Sequence, residues 1–188
     1  MNEQQVKECI TSIISGNTDS YRFLVEEYKD SVYNLVFKFC GNFSDAEDIT
    51  SEAFVRAYKN LHSYKPGMSF RNWLFSIAVN LARDILRKKK FKPGSLDVTM
   101  LLEESDVNIQ FSDDADNPEE IVFNKEEKSA LLGAIHALPE KYRVVIILRY
   151  MENMSFDEIS VLLQKPLNSI KTWVSRAQKI LSKKLGKV

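Results

Sequence analysis

Asn72, Ser76, Asn80, Arg83 and Arg87 recur at steps of four, four, three and four through FRNWLFSIAVNLARDILRKKK, residues 70–90. Those steps set them on one strip of an α-helix. Guanidinium groups neutralise phosphate, whereas an amide carries both a donor and an acceptor and can match a base edge. Positive charge alone gives affinity without selectivity, so the amides of Asn72 and Asn80 are the selective part of the strip. The closing run of Arg87, Lys88, Lys89 and Lys90 reads as a phosphate anchor. The preceding loop, HSYKPGMSF (62–70), adds Tyr64, Lys65 and Phe70. Flat rings beside a cation suit an unpaired base. Core filling competes for the aromatic pair, on nearly even terms for Phe70.

A second polar face lies near the C-terminus, in MSFDEISVLLQKPLNSIKTWVSRAQKILSKKL (154–185). There Ser169, Thr172, Arg176, Lys179 and Lys183 recur at three and four, opposite Ile170, Val174, Ala177 and Leu181. Ser155 and Glu158 form a capping box for a short helix with Ile159, Leu162 and Leu163 inward. QKPLN interrupts that helix, and Asn168 or Ser169 is expected to cap the next one. Two short helices joined by a tight turn, the second basic and free of acids, match a helix-turn-helix. Its first residues then meet base edges and its later lysines meet phosphates. A merely solvated helix would normally mix both signs of charge. Trp173 is expected at the edge of the core.

The formal net charge is zero, yet charge is segregated along the chain. Lys65–Lys92 holds eight Lys/Arg against Asp84 alone, and Lys165–Val188 holds seven and no acid. Between them Asp97–Glu127 carries eleven acids and one lysine. Fields act over a Debye length of roughly 8–10 Å, so these blocks act separately. Two cysteines, Cys9 and Cys40, and two histidines, His62 and His136, show no metal-ligand spacing. Reduced thiols, no metal and no cofactor are expected. No glycine-rich phosphate loop or nucleophile–base pairing is visible, and the carboxylates cluster in one segment, which argues against an enzyme. MNEQQVKECI lacks the layout of a signal peptide and no apolar run reaches spanning length, so a cytoplasmic protein with no membrane insertion is expected.

These sites need helices to hold them. Tyr21, Leu24, Val25, Tyr28, Val32, Leu35, Val36 and Phe39 share one face of a helix over 21–39, stopped by Gly41. SDAE (44–47) suggests Ser44 as N-cap, with Glu47 at N3, of a helix reaching about Leu61. KPGM (65–68) reads as a turn before the helix that carries the polar strip. On that helix Phe70, Trp73, Leu74, Ile77, Leu81 and Ile85 form one apolar stripe, and Phe75, Val79, Ala82 and Leu86 a second. FKPGSLDVTMLLEESDVNIQFSDDADNPEE breaks the period and reads as a linker, with helices resuming at NPEE (117–120). Pro139 starts another helix, in which Val144–Leu148 is β-branched enough for a strand but is read as buried helix. The fold class is all-α: two small helical domains, 1–95 and 119–188, joined by an acidic flexible linker, 96–118.

DAEDITSEAFVRAYKNL, FRNWLFSIAVNLARDILRKKK and LPEKYRVVIILRYMENMSFDEISVLLQKPLNSIKTWVSRAQKIL together resemble successive blocks of an extracytoplasmic-function (ECF, group 4) sigma factor of bacterial RNA polymerase, in the sigma-70 family. The resemblance covers roughly residues 20–90 and 120–185. It implies a non-enzymatic factor that binds core RNA polymerase, at its clamp and flap regions, and directs promoter-specific initiation. The first lobe would be sigma domain two, docking on the clamp through Asp45, Asp48 and Glu52. Its loop and strip would take the minus-10 element as melted single strand, and Lys88 would serve that contact. The second lobe would be sigma domain four, reading the minus-35 element as duplex through Asn168, Ser169, Lys171, Thr172, Ser175 and Arg176, with Lys179 behind them. The linker would thread toward the polymerase cleft. An anti-sigma factor is the expected regulator, because no further domain is seen after the second lobe. Two positions depart from the family: Ser160 stands where a small residue is common, and Gln164 where a glycine often allows positive φ.

Two other classes remain open at this level. A helix-turn-helix regulator would bind duplex half-sites as a dimer, with the first lobe serving dimerisation. A helical protein holding anionic lipid or RNA through its basic ends leaves the Asn80 strip unexplained.

Overall fold

The computed structural model describes residues 1–65, 69–90 and 125–186, and side chains there except at 88–90 and 125–128. The KPGM turn, the acidic linker and the NPEE helix start fall wholly or mostly outside the described residues. Every regular element among those described is helical. The chain divides into two units, Met1–Pro93 and Gly94–Val188.

The first unit is built on three long helices that pack pairwise on one another: α2 (Tyr21–Cys40), α3 (Phe43–Lys59) and α4 (Phe70–Lys90). α2 buries Leu24, Val32, Leu35, Val36 and Phe39, which is the face expected from the period. It stops at Gly41, whose φ of 68° is left-handed and whose N–H donates to the Phe37 carbonyl at 2.8 Å. Such a stop suits glycine because no Cβ opposes the conformation. α3 offers Ala46, Ala53 and Ala57, all fully buried, and those small side chains let its neighbours approach closely.

Ser44 is not the cap of α3. Asn42, extended immediately after Gly41, accepts from the Asp45 N–H at 2.9 Å, so the helix opens two residues earlier. Phe43 then stacks on Phe37 with ring centroids 4.6 Å apart, which anchors that first turn. The far end closes at Lys59 and passes into a 3₁₀ turn, Leu61–Ser63.

A further helix, α1 (Glu3–Ile14), is absent from the elements expected above. Asn2 Oδ1 accepts from the Gln5 N–H while Gln5 Oε1 accepts from the Asn2 N–H, a complete capping box. Val6, Ile10 and Ile13 bury its apolar face. Cys9 donates its Sγ–H to the Ser20 carbonyl and Cys40 is buried; both thiols are free.

The second unit comprises α5 (Lys125–His136), α6 (Glu140–Ile146), a π-helical turn (Ile147–Met151), α7 (Phe156–Leu163) and α8 (Leu167–Leu185). α8 packs on α5, α6 and α7 alike. Val144–Leu148 is helical and at most 3% exposed, so its unbroken apolar run reflects burial all round rather than a strand. The expected capping box of α7 is present: the Glu158 N–H donates to Ser155 Oγ and the Ser155 N–H to Glu158 Oε2.

Neither Asn168 nor Ser169 caps α8. Pro166 supplies the entry, with φ −56° and ψ 139°, and its carbonyl accepts from the N–H groups of Ser169 and Ile170. The fixed proline φ sets the helix going earlier than a side-chain cap would. Gln164 holds φ 52°, ψ 47°, the left-handed conformation that the missing glycine demanded. Ser160 spans the same turn: its Oγ–H donates to the Lys165 carbonyl at 2.6 Å, and the Lys165 N–H donates to the Ser160 carbonyl.

His136 and Arg143 are both buried. Arg143 donates to the carbonyls of His136 and Leu138, tying α6 to the end of α5. His136 Nδ1 is buried without a hydrogen-bond partner. Burial, and then the Arg143 guanidinium, push the His136 imidazole down to about 4.

Gln164→Gly is expected to raise stability by about 0.5–1 kcal/mol in urea unfolding, since glycine carries no left-handed penalty. The second unit should also lose stability as pH falls, because His136 stays neutral when folded and takes a proton when unfolded. The loss runs from about pH 6.5 down to about 4, totals on the order of 3 kcal/mol, and is measured as the slope of unfolding free energy against pH.

Candidate nucleic-acid interface

The rotation of α4 is set by its core side chains. Leu74, Phe75, Ala78, Val79, Leu81 and Ala82 are buried, with Trp73, Ile77, Ile85 and Leu86 half-buried around them. What is left for solvent is narrow, as the sequence implies, but it does not run open from end to end. Asn80 and Arg87 are exposed, and Ser76 and Arg83 half-buried. Asn72 is only 7% exposed and lies in the interior. The first turn of α4 is closed over by a cluster of rings, and the strip emerges only beyond it.

That cluster also settles the loop aromatics. Phe70 is 3% exposed and is core filling. Tyr64 is half-buried against it, edge-on to Phe70 at 5.7 Å and to Trp73 at 5.5 Å, and Tyr28 meets Phe70 at 5.3 Å. Lys65 is exposed. The three loop residues expected to act together thus divide between interior, boundary and surface. Ser76 donates its Oγ–H to the Trp73 carbonyl at 2.6 Å. Arg87 pairs with Asp84 at 3.0 Å, both exposed, a contact too weakly held in water to withhold Arg87 from a phosphate.

Asp45, Asp48 and Glu52 share a face of α3, Asp45 half-buried and the other two exposed. Glu52 accepts from Arg56 Nε at 2.7 Å one turn along. This too is a surface pair.

On α8, Ile170, Val174 and Ala177 are buried, so the opposite side faces solvent. Asn168, Lys171, Thr172, Ser175, Arg176 and Lys179 are exposed and Ser169 is half-buried. Thr172 returns its hydroxyl proton to the Asn168 carbonyl at 2.7 Å. Because Pro166 starts the helix, the Asn168 amide is not spent as a cap. Trp173 sits half-buried at the edge of the core, as expected. Arg176, and then Lys141, lower the Tyr142 phenol below its usual range. Gln178 Nε2 donates to the Tyr150 hydroxyl at 2.6 Å. Tyr150, just after α6, therefore holds a side chain of α8, a support that spacing within α8 gave no sign of. Among the described residues no group of three or more His, Cys, Asp or Glu could hold a metal, and no helix is long and apolar enough to cross a membrane.

Comparison with known proteins bears on both faces. Residues 24–92 match the sigma-70 region 2 family, and residues 128–181 the sigma-70 region 4 family. The ECF RNA polymerase sigma factor SigW of Bacillus subtilis is 36% identical over 184 residues, covering 97% of this chain and 98% of that protein. This chain belongs to the ECF sigma factors. The sigma factor is also similar to the ECF RNA polymerase sigma-E factor of Escherichia coli K12, 28% identical over 98% of this chain and 97% of that one. Its fold is shared by CnrH, solved in complex with the cytosolic domain of CnrY (TM-score 0.68, 20% identity, 99% of each chain). It is shared as well by the sigma factor RpoE from Bartonella quintana, solved with the anti-sigma factor NepR (TM-score 0.64, 19% identity, 88% of this chain and 96% of that one). Membership makes this chain a promoter-directing factor of transcription initiation by RNA polymerase. The region 2 match opens at Leu24, which leaves α1 outside it.

Proposed function

We propose that the sigma factor divides promoter reading between its two polar faces. In the first lobe Asn80 reads a base of the melted minus-10 strand, and Tyr64 and Ser76 take part in holding that strand. Lys65, Arg83, Arg87 and Lys88 neutralise the backbone, while Phe70 and Asn72 support the site from the interior. One observation carries this reading: Asn80 is an exposed amide on a helix whose rotation is locked by its core. A carboxamide so held presents donor and acceptor in a fixed direction, which is what base discrimination needs.

In the second lobe the exposed first turns of α8 enter the major groove at the minus-35 element. Asn168, Ser169, Lys171, Thr172, Ser175 and Arg176 supply the contacts, and Lys179 meets the backbone. Asp45, Asp48 and Glu52 dock on the polymerase clamp, and the second lobe on the flap. Domain limits of 1–95 and 119–188 with a linker between them fit this scheme. The factor is non-enzymatic, acts in the cytoplasm, and is held in check by an anti-sigma protein; the sigma factor RpoE from Bartonella quintana, of the same fold, was solved in complex with the anti-sigma factor NepR.

Reconstitution with core polymerase and run-off transcription tests the scheme, and failure to bind core overturns it. Asn80→Ala should leave core binding intact and cut open-complex yield by a factor matching about 1–3 kcal/mol, read by permanganate footprinting. Arg176→Ala should weaken promoter binding by roughly 1–3 kcal/mol and relax preference at one minus-35 position. A loss spread evenly over all minus-35 sequences would make Arg176 a phosphate contact instead.

A further inference from the structure

In the second lobe α6 and the π-helical turn after it run without a break from Glu140 to Met151, and α6 packs on α8. Ala177 of α8 is fully buried. Its neighbours Arg176 and Gln178 stand roughly 200° apart about the helix axis, so they emerge at opposite edges of the polar face. Lys171 and Ser175 share the Gln178 edge, at steps of four and three. Ser169 and Thr172 share the Arg176 edge, at steps of three and four.

Each edge is met by a different end of the α6 segment. At one, Gln178 Nε2 donates to the hydroxyl of the exposed Tyr150 at 2.6 Å. That bond occupies a lone pair of the phenol oxygen and leaves its O–H proton to be donated elsewhere. At the other, Lys141 Nζ lies 4.9 Å from the centre of the Tyr142 ring, and Arg176 and then Lys141 lower the Tyr142 phenol below its usual range. Lys141 is exposed, so it adds a second cation to the Arg176 edge. Eight residues separate Tyr142 from Tyr150, about 12 Å of helix at 1.5 Å per residue. The major groove is about 12 Å wide. α8 holds no acid, and Glu140 and Glu152, the nearest acids in sequence to Lys141 and Tyr150, are half-buried.

We infer that the α6 segment brackets the groove in which α8 lies: Tyr150 donates its hydroxyl proton to a phosphate on one strand, and Lys141 holds a phosphate on the other. The inference rests on α8 reading the minus-35 duplex. Phosphate contacts carry no sequence information, but they fix register and orientation on the duplex. A helix gripped at one border can roll in the groove, whereas grips at both borders set its rotation, so the same side chains meet the same base edges. The two grips differ in kind. Lys141, resting on the Tyr142 ring, brings a charge and displaces a counterion, which makes its share salt-dependent. Tyr150 is neutral and contributes a directional bond with little dependence on salt. Gln178 is a positioning residue, acting through the Tyr150 hydroxyl.

The test uses holoenzyme made from the full chain and core polymerase, with promoter duplex in which one minus-35 phosphate at a time is replaced by an uncharged methylphosphonate. Affinity is read by fluorescence titration over a range of salt. Tyr150→Phe, which removes only the hydroxyl, should weaken binding to the unmodified duplex roughly three- to tenfold. It should also lose the unaltered protein's sensitivity to a methylphosphonate on one strand. Gln178→Ala should reproduce part of that loss at the same phosphate. Lys141→Ala should lose sensitivity at a phosphate on the other strand and reduce the salt slope by about one, while Tyr150→Phe leaves the slope nearly unchanged. Neither variant should reorder base preference at the minus-35 element. Unchanged affinity or retained methylphosphonate sensitivity in Tyr150→Phe would overturn the role of Tyr150, and the same outcome in Lys141→Ala that of Lys141. Losses that map to a single strand would overturn the bracket. A holoenzyme indifferent to the minus-35 sequence would instead overturn the reading of α8 on which the inference rests.

Discussion

The burial of α4 on two sides is the constraint from which the first lobe takes its meaning. Leu74, Phe75, Val79 and Leu81 are each almost fully removed from water between α2 and α3. Each contributes about 1.5–3 kcal/mol, so turning the helix even by one residue would forfeit several such terms at once. Asn80 therefore points outward because the opposite side cannot. A polar amide gains selectivity only if its direction is fixed, and here the fixing is done by apolar side chains on the buried side of the helix.

The second lobe meets the same need with different means. α8 is held from three sides, and its rotation follows from Ile170, Val174 and Ala177. Its angle to α7 depends on a turn whose left-handed residue is Gln164, stitched by the Ser160 hydroxyl to the Lys165 carbonyl. Without a glycine the turn carries backbone strain, yet two hydrogen bonds and the Pro166 entry keep it in shape.

Charge is distributed so that the surfaces stay available. The ion pairs at Arg87–Asp84 and Arg56–Glu52 lie in water and hold their members loosely. Buried charge appears instead at Arg143, where it is used structurally on the carbonyls of His136 and Leu138. The division matches the work of a promoter-binding factor, whose cations must exchange water and counterions for phosphate at little cost.

Helix period, the Gly41 stop, the Ser155–Glu158 box and the buried reading of Val144–Leu148 were all legible in the sequence, because each depends on neighbours within a turn or two. The need for positive φ at Gln164 was legible for the same reason. The caps of α3 and α8 were misplaced by two or three positions: Phe43 stacking on Phe37 and the fixed φ of Pro166 favoured earlier starts than Ser44, Asn168 or Ser169 would. Helix α1 carried its own signal in Asn2, Gln5 and the period of Val6, Ile10 and Ile13, but a short segment becomes a helix only where there is a face to bury against. Whether Asn72 and Phe70 belong to surface or interior was decided by the ring cluster that Tyr28 and Tyr64 bring from other parts of the chain. The bond from Gln178 to the Tyr150 hydroxyl was settled in the same way, across two elements. Spacing says which side chains share a face; only packing against distant residues says which stretch of that face meets water.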